Sequence, residues 1–426
     1  MKFVNIALSA ASLATAAVLP EASSKVNYDG YKLFHVDVPA HATEGLSSLY
    51  SISSSLQDTV KLQGCSHDDH LDFAVPAHEV DAFHALGLNG SLVEEDLGAA
   101  IAAEGPLVAY SSPAASALPG TDWFSAYHSY ADHLQYLTDV QAAFPSNSEI
   151  FVVGQTFEKR AITGIHLWGS GGKSSKPAIY YHATVHAREW IATMVAEYIL
   201  YSLVSGYSAG TTKTFLDNYD FYIIPVINAD GFVYSQGTNR LWRKNRQTRS
   251  GISAVGTDIN RNWPSHWDVS GGASTTPSAE DYKGQAACDT PECKVLTTFS
   301  TSVAAAHGIP WYIDFHSYSK AILLPYGYSC SAKVANLATQ QSLANSMKSS
   351  IATAYGTSFV AGPICTTLYQ ATGGSTDYLT DVTKATYAWA IELRGTSFVL
   401  PADEILPSGI EIWNGVKTVL NSLLSA

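Results

Sequence analysis

Two residues that could bind a metal ion lie close together in the segment His186-Ala187-Arg188-Glu189-Trp190. At the start of a helix, a spacing of three would turn the side chains of His186 and Glu189 towards the same side. An imidazole and a carboxylate are two of the three protein ligands that a catalytic zinc ion needs, and water takes the fourth position. The pair is often found by chance, so the rest of the chain must supply the remaining groups.

The third ligand is expected from a distant part of the chain. His316 ends an apolar, strand-like run, where a sheet would present its side chain towards a site. Asp258 is suited to orient His186 by accepting the proton of its second ring nitrogen, although an isolated Asp is also a common turn residue. The prediction is one Zn²⁺ held by His186, Glu189 and His316.

Glu392 lies in the apolar run from Trp389 to Leu393. A carboxylate in a buried strand is unfavourable unless it is paired or functional. Glu392 is therefore either the base that activates a water molecule or a structural partner of Arg394 or another buried Arg.

Cationic residues cluster in an otherwise acidic chain, from Arg240 to Arg249 and again around Asn260 and Arg261. The formal net charge of -13 argues against nucleic acid and anionic membranes as partners. Because a guanidinium matches the two oxygens of a carboxylate, we interpret the Arg and Asn residues as a carboxylate grip. A solvated charged face and a polyanion-binding patch are the alternatives.

Strand-like and helix-like runs alternate from about residue 121 onwards. The predicted strands are 149–154, 164–168, 178–185, 220–226, 311–315 and 385–393. The predicted helices are 129–144, 189–204, 292–306, 332–355 and 410–424. This alternation predicts an α/β sheet with helices on both faces and a site at the carboxyl ends of its strands.

The region before residue 121 has three parts. Residues 1–17 have the basic start, apolar run and small residues of a secretory signal peptide, and they are short for a membrane anchor. Residues 18–104 form an acidic block with strand-like runs at 31–38 and 71–75 and a helix-like run at 78–86, enough for a small α+β domain. Residues 105–120 are rich in Ala, Ser, Pro and Gly and are expected to be a flexible linker.

This order predicts a secreted, extracellular protein made with a removable pro-domain. A permanent accessory domain is the alternative. Lys and Arg are absent between Lys61 and Lys159, so a protease that activates the precursor in the linker cannot cut after a basic residue. Asn89 begins an Asn-Gly-Ser glycosylation sequon.

Export also affects how the five cysteines are interpreted. In an oxidising compartment we expect two disulfides, formed by Cys288, Cys293, Cys330 and Cys365. Of the three possible pairings we favour Cys288–Cys293, which closes a small loop, and Cys330–Cys365, which ties two loops together. Cys65 is the odd cysteine and lies in the predicted pro-domain.

A different chemistry is suggested by Gly206-Tyr207-Ser208-Ala209-Gly210, which fits the G-x-S-x-G pattern of serine hydrolases. That motif requires a strand before the nucleophile, whereas the run that begins at Glu189 has the length of a helix. A serine hydrolase that uses Ser208 and a catalytically inactive peptide-binding protein are the alternatives to a zinc enzyme.

The chain resembles the secreted zinc carboxypeptidases of the pancreatic A/B type, in precursor form. The resemblance covers nearly all of residues 121–426 and rests on six motifs: His186-Ala-Arg-Glu-Trp, Arg240-Leu-Trp-Arg-Lys, Asp258-Ile-Asn-Arg-Asn-Trp, His316-Ser-Tyr-Ser, Tyr369-Gln-Ala-Thr-Gly-Gly-Ser and Glu392-Leu-Arg. It implies a catalytic domain with a central mixed, mostly parallel sheet, and an enzyme that releases single C-terminal residues from peptides and proteins. We expect a monomer that its own pro-domain inhibits.

The resemblance also implies roles for individual residues. The three metal ligands named above are part of it, Glu392 would be the general base, and Arg243 would stabilise the oxyanion. The residues expected to hold the terminal carboxylate of the substrate, or to assist beside it, are Arg188, Asn260, Arg261 and Tyr369. The Cys330–Cys365 pair matches a disulfide found in some members of the family.

The preference for the C-terminal side chain of the substrate is predicted from the pocket position that Thr376 occupies. In the family an acidic residue at this position selects C-terminal Lys or Arg, whereas Thr376 is neutral. The neighbours that match apolar pocket positions are Leu323, Ile364, Leu368 and Ala371. Ala390 is small and is expected to leave room for Phe, Tyr or Trp. The predicted preference is therefore for aromatic or aliphatic C-terminal residues.

Overall fold

The structure is a computed structural model that describes residues 25–37, 56, 58–62, 70–114 and 116–425. The predicted signal peptide and Cys65 lie outside the described residues. The described part of the chain contains a four-stranded and an eight-stranded sheet.

The strands are β1 (Lys32–Asp37), β2 (Val60–Leu62), β3 (His70–Val75), β4 (Gly90–Glu94), β5 (Ser148–Gln155), β6 (Ala161–Leu167), β7 (Ala178–Ala183), β8 (Asp220–Ile224), β9 (Trp311–His316), β10 (Ala321–Leu324), β11 (Val360–Pro363) and β12 (Tyr387–Glu392). The α-helices are α1 (Val80–Ala85), α2 (Leu97–Ala103), α3 (Tyr130–Ala143), α4 (Trp190–Ser208), α5 (Lys213–Asn218), α6 (Ala229–Gly237), α7 (Pro291–His307), α8 (Leu337–Tyr355), α9 (Ile364–Thr367), α10 (Ser375–Asp381) and α11 (Ile405–Leu424).

The smaller sheet has the strand order β2-β3-β1-β4 and forms a small α+β unit with α1 and α2. Alternate residues of β1 face opposite sides, as the period of two in a strand requires. Phe34 and Val36 pack with Phe73 and Phe83 inside the unit. Leu33 instead contributes to a second buried cluster with residues of the larger unit. The small unit is therefore docked on the rest of the chain through an apolar face.

The larger sheet has the order β11-β10-β12-β9-β7-β8-β6-β5, and four of its seven neighbouring pairs are parallel. Strands β7, β8 and β9 are buried along their whole length, as expected when helices cover both faces of a parallel sheet. One apolar cluster packs α4 and α11 against one face, and a second packs α7 against the other. The predicted mixed, mostly parallel α/β sheet is confirmed.

Local sequence signals explain where several helices begin and end. Ser129 and Asp132 form a capping box at the start of α3, so each satisfies a backbone N–H that the helix leaves without a partner. Thr290 caps α7, whose first residue is Pro291, and Gly308 follows its end with a φ of 69°. These signals account for the bounds of α7, which are close to those predicted.

The sequence prediction missed the shorter elements. Strands β2, β4, β10 and β11 have three to five residues, too few to show a period, and the short helices α2, α6 and α10 were missed for the same reason. Helix α4 begins at Trp190, one residue later than predicted, and α8 begins at Leu337 instead of 332. Within the described residues, no helix is both long and apolar enough to cross a membrane.

Candidate metal centre and substrate cavity

The carboxyl ends of β7, β9 and β12 meet at one place. His316 is the last residue of β9, and Glu392 is the last residue of β12. The two residues are paired in the parallel register of these strands, so their side chains lie side by side on the same face. His186 and Glu189 come from the connection between β7 and α4. Glu189 directly precedes Trp190, the first helical residue, so the pair lies at the start of the helix and not within it.

Three possible metal donors converge at these strand ends. Nδ1 of His186 lies 2.8 Å from Oε1 of Glu189 and 3.1 Å from Nδ1 of His316. Nδ1 of His316 is also 3.1 Å from Oε2 of Glu189. All three residues are buried, and their ligand atoms lie within 4.8 Å of one another.

This donor set fits a zinc ion. Two imidazole nitrogens that face each other repel unless a cation or a proton lies between them, and two His with one carboxylate is a known set of catalytic zinc ligands. Burial by itself would raise the pKa of Glu189, but attraction to His186 and His316 outweighs it and lowers that pKa to about 2. The carboxylate is therefore ionised and available as a ligand.

Asp258 lies directly behind His186. Its Oδ1 is 3.2 Å from Nε2 of His186, and it also accepts the backbone N–H of Asn260 at 2.8 Å. Its Oδ2 accepts from Nε and Nη2 of Arg243, at 3.1 and 2.9 Å. Burial opposes ionisation of Asp258, yet Arg243 and His186 hold its pKa well below the usual range. Asp258 thus pairs with Nε2 of His186 and leaves Nδ1 to face the metal site. Its contact with the N–H of Asn260 also forms the turn that the sequence suggested.

A cavity opens beside the metal donors. Its lining consists of His186, Arg243, Asn260, Arg261, His316, Leu323, Gly327, Ile364, Leu368, Tyr369, Ala371, Gly374, Thr376, Asp377, Ala390 and Glu392. Nearly all the site residues predicted from the sequence thus border the same space, although they come from strands, helices and loops that are far apart in the chain.

The polar end of this cavity holds the predicted carboxylate grip. Arg261 donates from Nη1 to the backbone oxygen of Asn260 at 2.9 Å and from Nη2 to the hydroxyl of Tyr369 at 3.3 Å. The side chain of Asn260 accepts the backbone N–H of Ser375 at 2.8 Å. These contacts position one guanidinium, one amide and one phenol around the same part of the cavity, a suitable set of donors for a carboxylate.

The other end of the cavity is apolar. Leu323 on β10 and Ala390 on β12 are paired in register and buried, and Ile364 and Leu368 pack against them. Thr376 is 3% exposed and borders the same space. The pocket end that was predicted to accept the C-terminal side chain is therefore bordered by aliphatic groups, the neutral Thr376 and one carboxylate, that of Asp377.

Asp377 is a buried carboxylate at this pocket that the sequence reasoning missed. It accepts the backbone N–H groups of Gly327 and Tyr328, at 3.0 and 2.9 Å. Burial raises its pKa to about 6, against the opposing effect of these two hydrogen bonds. Asp377 therefore holds the loop after β10 in place, and its proximity to Thr376 in sequence was the one signal that pointed to it.

Two predicted residues lie elsewhere. Arg188 is fully buried outside the cavity lining; its Nη1 is 2.5 Å from Oε2 of Glu280, and its guanidinium lies 4.1 Å from the centre of the Phe398 ring. Ser208 is an exposed residue at the end of α4. The strand that a serine-hydrolase nucleophile requires is replaced here by a helix, so the structure does not support the use of Ser208.

Both favoured disulfides are present, Cys288–Cys293 and Cys330–Cys365. The second joins the loop after β10 to helix α9, whose first residue, Ile364, lines the cavity.

Comparison with known proteins identifies the family. The zinc carboxypeptidase family (Peptidase_M14) matches residues 133–415. A metallocarboxypeptidase A-like protein of Trichophyton verrucosum is 42% identical over 411 residues, 94% of this chain and 95% of that protein. Metallocarboxypeptidase A of Trichophyton equinum is 40% identical over 99% of both chains. The solved structure of carboxypeptidase A from Helicoverpa armigera has a TM-score of 0.80 at 25% identity and covers 94% of this chain and 98% of its own. The chain therefore belongs to the zinc carboxypeptidase family and is a metallocarboxypeptidase.

Proposed function

We propose that this enzyme is made as a secreted precursor and releases single aromatic or aliphatic residues from the C-termini of peptides. The observation that carries the proposal is that two of the three buried, clustered metal donors border one cavity together with a carboxylate, a cationic grip and an apolar pocket. The substrate class is that of the family.

One zinc ion would be held by His186, Glu189 and His316. When bound, zinc lowers the pKa of water from about 15.7 to about 7 and polarises a carbonyl group. Glu392 is 2% exposed and lies beside His316, so it is placed to accept a proton from the attacking water. It would then deliver that proton to the nitrogen of the leaving amine, which completes cleavage of the peptide bond.

Restriction to the C-terminus would come from the cationic end of the cavity. Arg261, Asn260 and Tyr369 are held together by hydrogen bonds and can bind a free carboxylate, which an internal peptide bond does not have. Arg243 borders the same cavity and is tied to Asp258, so its cationic group is held close to where negative charge develops on the carbonyl oxygen.

Preference for apolar side chains is supported by the other end of the cavity. A C-terminal Lys or Arg would bring a cation into contact with Leu323, Ile364 and Leu368, and Thr376 has no charge to balance it. Asp377 is close by, but its carboxylate accepts two backbone N–H groups. An aromatic or aliphatic side chain fits this environment better.

The N-terminal unit is proposed to inhibit the enzyme until it is removed. Glu104 and Arg240 form a buried ion pair with two contacts, Oε2 to Nε at 2.7 Å and Oε1 to Nη2 at 2.5 Å. Asp72 of β3 accepts a hydrogen bond from the hydroxyl of Tyr318, two residues after the metal ligand His316. These contacts connect Asp72 and Glu104 of the N-terminal unit with the surface next to the metal centre.

Activation would require a cut between the two units. Tyr110 is held on the larger unit, with its ring centre 4.7 Å from that of Trp123. Among the residues that follow Tyr110, those exposed to solvent include Ser111, Ser112, Ala114, Ser116 and Ala117. We propose that a protease cuts here, after a residue other than Lys or Arg.

The test is a panel of peptides that differ in their last residue, assayed with the processed enzyme after mass spectrometry has located its N-terminus. We expect Phe and Leu to be released faster than Lys or Glu, a chelator to abolish all release, and added zinc to restore it. Faster release of Lys would refute the proposed pocket preference. Activity that survives the chelator but is lost in Ser208→Ala would refute the zinc mechanism.

A further inference from the structure

A second buried carboxylate, Asp314, lies behind the metal centre. Its Oδ2 is 3.0 Å from Nε2 of His316, and its Oδ1 is 3.2 Å from Nδ1 of His182. The hydroxyl of Ser375 donates to Oδ2 of Asp314 at 2.7 Å. All four side chains are buried. The roles proposed above make no use of Asp314.

The backbone determines this arrangement. Asp314 and His316 are two residues apart on β9, so both face the same side of the sheet. His182 is the residue of β7 that pairs with Asp314 in the parallel register. The carboxylate is thus positioned by two central strands of the sheet and not by a mobile loop, which makes it suitable for holding a ligand in a fixed orientation.

The chemistry of His316 identifies Asp314 as its hydrogen-bond acceptor. Nδ1 of His316 faces the other two metal donors, so Nε2 carries the ring proton when Nδ1 binds a metal. The other polar atom near Nε2 is Nδ2 of Asn260, at 3.3 Å. The amide of Asn260 is oriented by the N–H of Ser375, which donates to Oδ1, so Nδ2 is a donor and does not accept the proton.

We propose that Asp314 is a positioning residue of the metal centre that accepts the Nε2 proton of His316 and holds Nδ1 towards the ion. The inference rests on the proposed zinc site. Asp258 makes the equivalent contact with His186, so each metal-binding imidazole has its own buried carboxylate. Such a carboxylate fixes the tautomer of the ring and makes its free nitrogen a stronger ligand.

Ser375 extends this arrangement to the substrate side. Its hydroxyl donates to Asp314, and its backbone N–H donates to Asn260 of the carboxylate grip. One residue at the start of α10 therefore connects the carboxylate behind the metal ligand with a residue proposed to bind the substrate.

The test replaces Asp314 by Asn in the full chain, which removes the charge and retains the size. The dissociation constant of zinc is measured by competition with a chromophoric chelator. We expect zinc to bind about 10- to 100-fold more weakly, the usual effect of losing such a partner. As a second readout, the visible spectrum of the cobalt(II)-substituted protein should differ from that of the wild type.

Asp220→Asn is the matched control. Asp220 lies 3.0 Å from Nε2 of His166, both residues are buried, and the pair sits on β8 and β6 of the same sheet. This variant also removes the charge of a buried His–Asp pair, but outside the metal centre. We expect it to change zinc affinity less than about twofold and to leave the cobalt spectrum unchanged.

Ser375→Ala is a milder variant should Asp314→Asn not fold. It removes one donor to Asp314 and leaves the backbone contact with Asn260, so we expect weaker zinc binding by a few-fold. Wild-type zinc affinity and an unchanged cobalt spectrum in the variants that fold would overturn the role of Asp314, as would equal losses in Asp314→Asn and Asp220→Asn. A wild-type chain that binds no zinc would instead refute the proposed function.

Discussion

The contributions of the two disulfides to the stability of the fold can be compared within one protein. Cys330–Cys365 joins residues 35 apart in sequence, whereas Cys288–Cys293 joins residues 5 apart. The first connects the loop after β10 to α9, and the backbone N–H of Cys365 also donates to the oxygen of Tyr326 at 3.1 Å. The perturbation is the replacement of each pair by Ala in two separate double variants.

Loop length sets the expected loss of stability. In the chain-entropy description, removing a crosslink raises the conformational entropy of the unfolded chain, and this increase grows with the logarithm of the loop length. The loss in free energy of unfolding is about 4 kcal/mol for Cys330–Cys365 and about 2 kcal/mol for Cys288–Cys293 at 25 °C. Removing Cys330–Cys365 should therefore lower the free energy of unfolding by about 2 kcal/mol more than removing Cys288–Cys293 does.

The longer crosslink should also affect substrate binding. Ile364 and Leu368 line the apolar end of the cavity, on either side of Cys365. Without the disulfide, Ile364 and Leu368 are held less firmly at the apolar end of the cavity. KM for a peptide ending in Phe should therefore rise several-fold in C330A/C365A. The C288A/C293A variant should retain the KM of the wild type, because its disulfide is outside the cavity lining.

Urea unfolding of the wild type and both double variants in one buffer measures the two losses, and steady-state kinetics measures KM. The reasoning is refuted if C288A/C293A loses as much stability as C330A/C365A. An unchanged KM in C330A/C365A would contradict the role assigned to α9.

Three further predictions concern single sites. Glu392→Gln should bind zinc at the stoichiometry of the wild type, measured by elemental analysis, while kcat falls by about 10²- to 10⁴-fold; appreciable residual turnover would remove Glu392 from its role. Trypsin should not cut the precursor within residues 105–120, since no Lys or Arg lies there, and peptide mapping that locates such a cut would contradict this. Burial raises the pKa of Asp377 from its ordinary 3.8 to about 6, so the folded protein holds this proton more tightly than the unfolded chain does. The stability of the wild type relative to Asp377→Asn should therefore be greatest below about pH 4 and fall by roughly 3 kcal/mol as the pH rises through 6, as measured by urea unfolding across this range; a difference independent of pH would contradict it.

The long elements of the catalytic unit were predictable because their signals are local. Helix α7 has a Thr cap, a Pro at its first position and a Gly after its end. Strands β7 and β9 are buried along their whole length and mostly apolar, as expected for central strands of a covered sheet. Strand β10 has four residues, and its place between β11 and β12 is determined by pairing with strands that are distant in the sequence.

The surroundings of Arg188 could not be predicted for a related reason. Its position between His186 and Glu189 suggested a place beside the substrate, whereas its side chain lies outside the cavity lining and contacts Glu280 and Phe398. Adjacent residues in a connection that is not helical can face different directions, and the fold decides which way each one faces.

What the sequence determined by itself is the chemistry. A His and a Glu within one short connection, a His and a Glu at the ends of buried strands, and Arg beside Asn are patterns that predict a metal site, a base and a carboxylate grip. The tertiary structure alone decided which second carboxylate supports the metal centre. Asp314 meets His182, which is 132 positions earlier in the chain, only because β7 and β9 are neighbours in the sheet. Strand order depends on the packing of the whole domain, and no spacing in the sequence encodes it.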